Sequence, residues 1–372
     1  MRAKTAKRVI LLAMLPGGIA WAQNVSDISL AEAVAKNNSA IQLAGQGREV
    51  EAETLYLAAL GAGYDDDLSR AKIANNLAAL YQRQERFPDA ERMFRRVLQL
   101  RQKNLPAASI ELAYSFNNLA EIYLLEGRDW EARNLTETAL RTLQQFHADA
   151  PALPVVLSNL ATVLLRFKEF DSAEELLRSV LISYERQDQT SGREYAVTLN
   201  NLGQVLESRN DFEAAAASYQ RAIEIFEQLG VPARIDLSTT LANAGDLYQN
   251  QGRIEEARQA EDRALELLPP KRNGLLRAKI LRHLGNIVVK AGKPVDSLPY
   301  FEQSLVIEDK TFGPEHPATA GLLFDYSSAT LRAGNKSLSR KLRKRATELL
   351  ARLNSQSRDQ MTVSVRDLRA FR

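Results

Sequence analysis

The chain has 372 residues, of which 45% are hydrophobic and 26% are charged, and this composition excludes a largely disordered protein. It contains no cysteine, so disulfides, thiolate nucleophiles and cysteine-ligated zinc are all excluded. The formal net charge of +3 comes from residues 1–22, which hold four of the 49 basic residues and none of the 46 acidic ones, so nucleic acid is not an expected partner.

The N-terminus has the three parts of an export signal. A cationic stretch, MRAKTAKR, is followed by the apolar run VILLAMLPGGIA, and Ala20-Trp21-Ala22 fits the rule of small residues at the cleavage site. We predict a signal peptide over residues 1–22, cleaved after Ala22, and a mature protein that is periplasmic or extracellular. The alternatives are an uncleaved anchor or a first helix of the fold. The run is shorter than the roughly 20 residues that span a bilayer, and no other segment reaches that length.

A segment of similar sequence then recurs at intervals of 40 to 42 residues. It reads NNLAALYQRQERFPDAERMFRRVL from Asn75 and NNLAEIYLLEGRDWEARNLTETAL from Asn117, with further copies from Ser158, Asn200, Ala242 and Arg282. Two degenerate copies, which contain Asn38 and Asp325, flank the series. The sequence therefore contains about eight units over residues 26–352.

Each unit has the pattern of two helices that pack closely. The first half carries apolar residues at helical spacing, followed by a small residue, and a second small residue comes twelve positions later, as with Ala78 and Ala90. A glycine or polar residue between them suits a helix end, as at Gly127 and Asn210. A helix hairpin of this size cannot bury its apolar faces alone, so the pattern predicts an all-α solenoid of stacked hairpins over residues 23–352.

The pattern resembles the tetratricopeptide repeat, which the second unit shows as Leu77, Ala78, Tyr81, Ala90 and Phe94. A unit of about 42 residues is longer than the usual 34 and is similar to the repeats of kinesin light chains. The segment TFGPEHPATA at 311–320 is also similar to that group. The resemblance implies a right-handed α-solenoid whose first helices line a concave groove. Thr136 and Glu261 depart from the pattern, which has an aromatic or aliphatic residue at their position.

A recurring asparagine just before the Leu-small pair is the main candidate for binding. It lies beside the buried stripe of each first helix and resembles the asparagine ladder by which such grooves hold extended peptides. A carboxamide matches the N–H and C=O groups of a peptide without reading its sequence. The candidate peptide-binding residues are Asn76, Asn118, Asn159, Asn201 and Asn243, with Lys72, Arg83 and Arg166 on the same face. The alternative is that these asparagines bridge neighbouring helices or are simply solvated.

The remaining groove positions are mixed and moderately basic, which favours acidic or carboxylate-terminated ligands. His283 replaces the recurring asparagine in its unit and is interpreted as a polar groove residue. No histidine pair has metal-ligand spacing, and no glycine-rich phosphate loop or nucleophile motif occurs. The sequence therefore predicts no metal, no cofactor and no catalysis.

The C-terminal unit ends in a basic run from Arg340 to Arg345. It is interpreted as the solvated outer face of an end cap, with an acidic partner as the alternative. Residues 353–372 are predicted to be an extended or disordered tail. The sequence therefore predicts an exported scaffold for protein–protein interaction that holds a peptide or partner segment in its concave groove. The alternative is an envelope assembly or oligomerisation scaffold that acts through its convex surface or end caps.

Overall fold

The computed structural model describes residues 28–61, 63–144, 153–269 and 272–360, and the predicted signal peptide lies outside these ranges. Within them the chain forms sixteen α-helices and two short 3-10 helices, at Val231–Ala233 and Pro317–Thr319. The α-helices are α1 (Leu30–Gly45), α2 (Glu49–Leu60), α3 (Asp67–Arg83), α4 (Phe87–Asn104), α5 (Ile110–Leu125), α6 (Asp129–Gln144), α7 (Leu153–Arg166), α8 (Phe170–Arg186), α9 (Arg193–Ser208), α10 (Phe212–Leu229), α11 (Arg234–Asn250), α12 (Ile254–Leu267), α13 (Gly274–Lys290), α14 (Pro294–Phe312), α15 (Ala320–Arg332) and α16 (Lys336–Gln360).

The helices pair in chain order into eight hairpins, from hairpin 1 (α1–α2) to hairpin 8 (α15–α16). This confirms the predicted all-α solenoid of about eight units. Short turns join the two helices of each hairpin, and in several the turn residue adopts a left-handed conformation, with φ of 72° at Gly127 and 64° at Asn210. The following residue then bonds back into the first helix, as Arg128 N does to Tyr123 O at 2.8 Å.

Small residues let the two helices of a hairpin come close together. Ala78 and Ala90 are both fully buried where α3 crosses α4. In hairpin 5 the position equivalent to Ala78 is Gly203, and a Cβ added there would lie 2.5 Å from the Tyr219 ring. The large aromatic side chain of the second helix therefore fills the space that a missing Cβ leaves on the first helix.

The hairpins stack so that first helices lie on the inner side of the coil. Each first helix packs against the second helix of the hairpin before it, and several also contact the next first helix, as α5 does α7 and α9 does α11. Across the described ranges, no two second helices make contacts of comparable extent. Helices on the inside of a curved stack approach one another more closely than those on the outside, so the odd-numbered helices form the concave wall.

The end of α16 differs from the sequence prediction of an extended or disordered tail from residue 353. The helix continues to Gln360, since the segment LNSQSRDQ contains neither proline nor glycine to end it. Residues 361–372, the rest of that predicted tail, lie outside the described ranges. No helix in the described part of the chain is both long enough and apolar enough to cross a membrane.

We expect Gly203→Ala to lower the free energy of unfolding by up to about 2 kcal/mol. The added methyl group would collide with the Tyr219 ring, and overpacking a core usually costs about 1–3 kcal/mol. Alanine offsets roughly 1 kcal/mol of this cost through its higher helix propensity. Chemical denaturation followed by circular dichroism would measure the difference. Gly45→Ala is the matched control, because a Cβ at Gly45 meets nothing within 4 Å, and equal stability of the two variants would contradict the packing argument.

Candidate functional site

The recurring asparagines form hydrogen-bonded pairs that link successive first helices. Four of the five candidates donate a side-chain bond to an asparagine of the preceding hairpin. These bonds, which we call rungs, join Asn76 Nδ2 to Asn37 Oδ1 (2.9 Å), Asn118 Nδ2 to Asn75 Oδ1 (3.2 Å), Asn159 Nδ2 to Asn117 Oδ1 (3.0 Å) and Asn243 Nδ2 to Asn200 Oδ1 (2.8 Å). The amide NH2 groups of these four residues therefore bridge neighbouring helices, which is the structural role that the sequence left open as an alternative.

Sequence reasoning missed the acceptors of the rungs. Each acceptor is the asparagine that directly precedes a recurring one, and the doublets Asn75-Asn76 and Asn117-Asn118 show this signal in the sequence. The fourth unit has Ser158 in place of the first asparagine, so Asn201 has no equivalent acceptor in hairpin 4. The Asn201 side chain accepts a bond from Asn200 Nδ2 instead, at 3.2 Å.

The three predicted basic residues all have exposed side chains, but they do not form one cluster. Lys72 lies near the middle of α3, and Arg83 ends that helix. Arg166 ends α7 and reaches back to hairpin 3, where it donates to Leu124 O at 3.0 Å and pairs with Asp129 at 3.2 Å. Arg166 is thus partly engaged in holding two hairpins together.

A cavity of about 550 Å³ opens in the concave wall where hairpins 5, 6 and 7 meet. It is lined by Gln204, Glu207 and Ser208 of α9, Asn243, Asp246 and Asn250 of α11, Lys279 of α13 and, from neighbouring elements, Leu165, Asn210, Phe212 and Tyr219. Helical spacing from a recurring asparagine or from His283 places six of these residues on one face of their helices, and the cavity brings them together: Gln204, Ser208, Asn243, Asp246, Asn250 and Lys279. Lys279 Nζ donates to Asn243 Oδ1 at 2.7 Å, which continues the line of rungs into hairpin 7.

The cavity carries two carboxyl groups, Glu207 and Asp246, and neither forms an ion pair with a lysine or arginine among the described residues. Glu207 accepts bonds from Asn250 Nδ2 and the Tyr219 hydroxyl, each at 3.1 Å. Burial raises the pKa of Glu207, and the negative charge of Asp246 raises it further. Burial also raises the pKa of Asp246, while Lys279 acts in the opposite direction. This part of the wall therefore holds two carboxyl groups and one ammonium group, in contrast to the moderately basic groove that the sequence predicts.

Beside the cavity, a carboxyl and an imidazole pair inside the protein core. Glu261 is fully buried at the position that Tyr219 and Phe301 occupy in neighbouring hairpins, and its Oε1 lies 2.5 Å from His283 Nδ1. Its Oε2 has no hydrogen-bond partner among the described residues. The interpretation of His283 as a groove residue is wrong, because its ring turns inward to meet Glu261.

Burial sets the protonation state of this pair. It raises the pKa of Glu261 well above 4.5 and lowers the pKa of His283 well below 6.5, and the nearby charges of Lys279 and Arg282 lower the latter further. Both groups are therefore neutral near pH 7, and the imidazole tautomer decides which of the two donates the hydrogen bond. A neutral pair avoids the large cost of holding two charges away from water.

Within the described ranges, no group of three or more acidic or histidine side chains is placed to hold a metal ion. A second, smaller cavity of about 270 Å³ follows along the wall at hairpins 6 to 8, lined in part by Asn286, Lys290 and Asp325. Asp325 accepts bonds from Arg282 Nε at 2.6 Å and Asn286 Nδ2 at 3.1 Å. Polar links between neighbouring first helices thus continue to the last hairpin.

Comparison with known families gives one family match. The model of the tetratricopeptide repeat matches five overlapping stretches of the chain, at residues 31–103, 69–145, 109–186, 152–228 and 194–269. Together these stretches cover more than half of the chain and include all five candidate asparagines. No curated protein shows significant similarity to the chain.

Solved structures resemble the chain in fold at low sequence identity. The Rap conjugation gene regulator of plasmid pLS20, in complex with the Phr* peptide, has a TM-score of 0.63 and 13% identity, and covers 89% of this chain and 98% of its own. A Rap protein complexed with Competence and Sporulation Factor has a TM-score of 0.56 and 16% identity, with coverage of 88% and 99%. A putative kinesin light chain with nearly identical repeats, from Podospora anserina, has a TM-score of 0.45 and 17% identity, with coverage of 54% and 98%.

We expect Asn243→Ala to lower the free energy of unfolding by roughly 1–3 kcal/mol, because it leaves buried polar partners without their hydrogen bonds. The Asn243 side chain is only 3% exposed and bonds both Asn200 and Lys279. Urea denaturation would measure the change. The control is Asn38→Ala, since Asn38 is exposed and accepts only a weak bond of 3.4 Å from its neighbour. A loss no larger than that of the control would show that the rungs contribute nothing to stability.

Glu261→Gln should make stability less dependent on pH. Above pH 4.5 the unfolded chain releases the Glu261 proton that the folded chain keeps, so the unfolded state binds fewer protons and wild-type stability falls as pH rises. Glutamine does not titrate, so this contribution to the pH dependence of stability is absent from the variant. Its amide can still donate a hydrogen bond to His283. The variant's advantage in melting temperature should therefore grow with pH. His283 has the opposite effect. Because its pKa is lowered in the folded state, both proteins lose stability as the pH falls below 6.5.

Melting curves across a pH series would test this expectation, with the exposed Glu302→Gln as the control. A Glu261→Gln variant whose stability differs from that of the wild type by the same amount at every pH would show that burial does not raise the pKa of Glu261.

Proposed function

Because the chain belongs to the tetratricopeptide repeat family, we propose that it is an interaction scaffold that holds an extended peptide, or an extended segment of a partner protein, against its concave wall. The observation that carries this proposal is the cavity of about 550 Å³, which opens in that wall and is lined mainly by polar side chains. A cleft with a few convergent polar groups is the usual form of a ligand site.

The rungs support the same proposal. In Asn76, Asn118 and Asn159 the amide nitrogen bonds the preceding hairpin, while the carboxamide oxygen accepts no hydrogen bond from any residue that the structure describes. Such oxygens can accept the backbone N–H groups of a ligand. Fixing the amide by one bond also lowers the entropy lost when the other end binds. We therefore propose that the carboxamide oxygens of these three asparagines carry out the predicted peptide-binding role.

The charged side chains of the concave wall indicate which charges the ligand should carry. Glu207 and Asp246 place two carboxylates in the cavity against the single ammonium of Lys279. A lysine or arginine side chain of the ligand would compensate the excess negative charge. Toward the N-terminal end, the exposed Lys72, Arg83 and Arg166 suit acidic ligand residues. We therefore propose a ligand with a basic residue at hairpins 5 and 6.

One structural neighbour supports a peptide ligand, since the Rap conjugation gene regulator is in complex with the Phr* peptide. A second neighbour, a Rap protein, is complexed with Competence and Sporulation Factor.

Export is a separate part of the proposal. It is supported by the cationic start, the apolar run and the Ala20-Trp21-Ala22 site of the sequence, and it places the partner in the periplasm or outside the cell. Secretion of a tagged full-length chain, with N-terminal sequencing of the product, would test the cleavage after Ala22.

The second candidate function is assembly through an end of the solenoid. On α1, the first helix of the stack, Leu30, Val34 and Ile41 are 38%, 40% and 46% exposed. Their spacing places them on one face, where no earlier hairpin covers them within the described ranges. This face favours oligomerisation through an end cap, and the mass of the mature chain in solution would reveal it.

A blocking substitution separates the two functions. We propose to select peptides from a random library on the mature chain, and then to measure the affinity of one selected peptide by fluorescence anisotropy. Ser208→Trp should weaken binding by about tenfold or more, because the indole fills the cavity and blocks the contacts with the peptide. A tenfold loss of affinity corresponds to roughly 1.4 kcal/mol of binding free energy.

Gln220→Trp is the matched control, because Gln220 is exposed on α10, an outer helix. It should leave the affinity unchanged. If Gln220→Trp weakens binding as much as Ser208→Trp, or if no peptide is selected, the concave-wall proposal is wrong.

A further inference from the structure

Three sets of contacts join hairpins that are far apart in the sequence. The connection between hairpins 6 and 7 touches hairpin 1, hairpin 7 touches hairpin 2, and the segment that leads into hairpin 8 touches hairpin 3. Each contact spans about five hairpins. The coil therefore completes one turn in about five hairpins and meets itself there.

The central contact is a helix cap supplied from another repeat. Glu85 Oε1, in the turn of hairpin 2, accepts a bond from Leu275 N at 2.8 Å, and the same carboxylate is bonded by the amide of Gly274. The residue at the N-cap position of α13, Asn273, makes no side-chain cap bond of its own. The first amides of α13 would otherwise lack a partner, and an anion is favoured at that end of a helix.

The residues on both sides of the contact fit this cap. Gly274 lacks a Cβ that would lie 2.7 Å from Glu85 Oε2, so the missing side chain leaves room for the carboxylate. Glu85 has a left-handed backbone with φ of 58°, at the turn position where Gly127 and Gly252 stand in other hairpins. Non-glycine residues are disfavoured there, but Lys168 and Asn210 also occupy this position, so the open space at Gly274 is the feature specific to the contact.

The flanking contacts are polar on one side and aromatic on the other. Arg272 pairs with Glu49 at 3.1 Å and donates to Gly47 O at 3.3 Å, which ties the connection to hairpin 1. The rings of Phe87 and Phe312 stack with centroids 5.9 Å apart. Next to them, the His316 ring stacks on Phe312 at 4.6 Å and lies near the backbone of Glu126 in hairpin 3. Burial lowers the pKa of His316, and the Glu126 backbone opposes this shift.

We propose that these contacts, which we call the clasp, hold the coil closed around its inner wall and open to admit a ligand. The clasp joins the two sides through a few polar contacts and through Leu275 and Phe312, which pack against the apolar cluster of the N-terminal hairpins, whereas successive hairpins share extended apolar clusters. It is therefore the weakest seam of the closed coil. The second half of the proposal, admission of a ligand, rests on the proposed function; the closure itself does not.

A closed turn limits access to the cavity at hairpins 5 to 7. If a ligand binds only when the coil is open, its apparent affinity is the intrinsic affinity multiplied by the fraction of open molecules. Closure over a bound ligand then slows its escape. Weakening the clasp should consequently speed both association and dissociation, a pattern that a purely structural contact would not produce.

Spin-label distances test closure without any ligand. The chain has no cysteine, so Val50→Cys and Val306→Cys can be labelled specifically. Both valines are exposed, at 78% and 62%. Val50 adjoins Glu49, and Val306 adjoins Ile307, which lies against Gly274, so the labels stand on opposite sides of the clasp. The label-to-label distance should be short and narrowly distributed in the parent protein.

Glu85→Gly removes the carboxylate and gives the turn its favoured residue, so its own hairpin should remain folded. We expect this variant to add a population with a longer distance between the labels. Lys168→Gly is the matched control, because Lys168 has φ of 60° at the same turn position of hairpin 4, away from the clasp. Gly274→Ala perturbs the clasp from the other side and should lengthen the distance too. Unchanged distances in both Glu85→Gly and Gly274→Ala would overturn the proposal.

Kinetics then test admission. With a peptide selected as described above, Glu85→Gly should raise the association rate by about tenfold if one tenth of the wild-type molecules are open. Dissociation should also be faster, and Lys168→Gly should match the wild type. Unchanged rates in a variant that opens by spin-label distance would refute the gating role. A chain that binds no peptide would refute the proposed function, while the label distances would still decide whether the clasp closes the coil.

Discussion

The structure depends on the inability of a single helix hairpin to bury its apolar surface. Each unit presents apolar residues toward its partner helix and also toward the next hairpin, so the surface is covered only when hairpins stack. Burial then makes every first helix a neighbour of the next, about 42 residues along the chain. All other features follow from this spacing, because equivalent side chains of successive units become adjacent.

The asparagine pairs use that adjacency for a polar purpose. A buried carboxamide is costly unless it is hydrogen-bonded, and the preceding asparagine of the neighbouring hairpin satisfies it. The rungs also set the position of one hairpin relative to the next, because a hydrogen bond requires a specific distance and angle whereas apolar packing tolerates sliding. Where Ser158 breaks the pattern, no rung joins Asn201 to hairpin 4. The structural role thus falls on the amide nitrogen of the side chain, and the proposed ligand-binding role falls on its oxygen.

The cavity and the buried pair near it show how one repeat can depart from the pattern of its family. Glu261 replaces a core aromatic, and His283 replaces a recurring asparagine in the next unit. The two departures compensate each other, since the carboxyl and the imidazole form a short hydrogen bond as neutral groups. The adjacent wall carries Asp246 and Lys279, and this difference from the other hairpins gives the array a distinct site despite its repetition.

The sequence by itself determined the helix hairpins, their number and the turns between them. Small residues at Ala78 and Ala90 and glycine at Gly127 reflect local packing and backbone conformation, which neighbours in the chain specify. It also placed Asn243, Asp246 and Lys279 on one face, since helical spacing alone fixes that. Only the tertiary structure decided that Asn243 bonds Asn200, that His283 turns inward, and that Glu85 caps a helix 190 residues away. Those contacts depend on the curvature and pitch of the stack, which accumulate from small angles between hairpins and leave no periodic signal in the sequence.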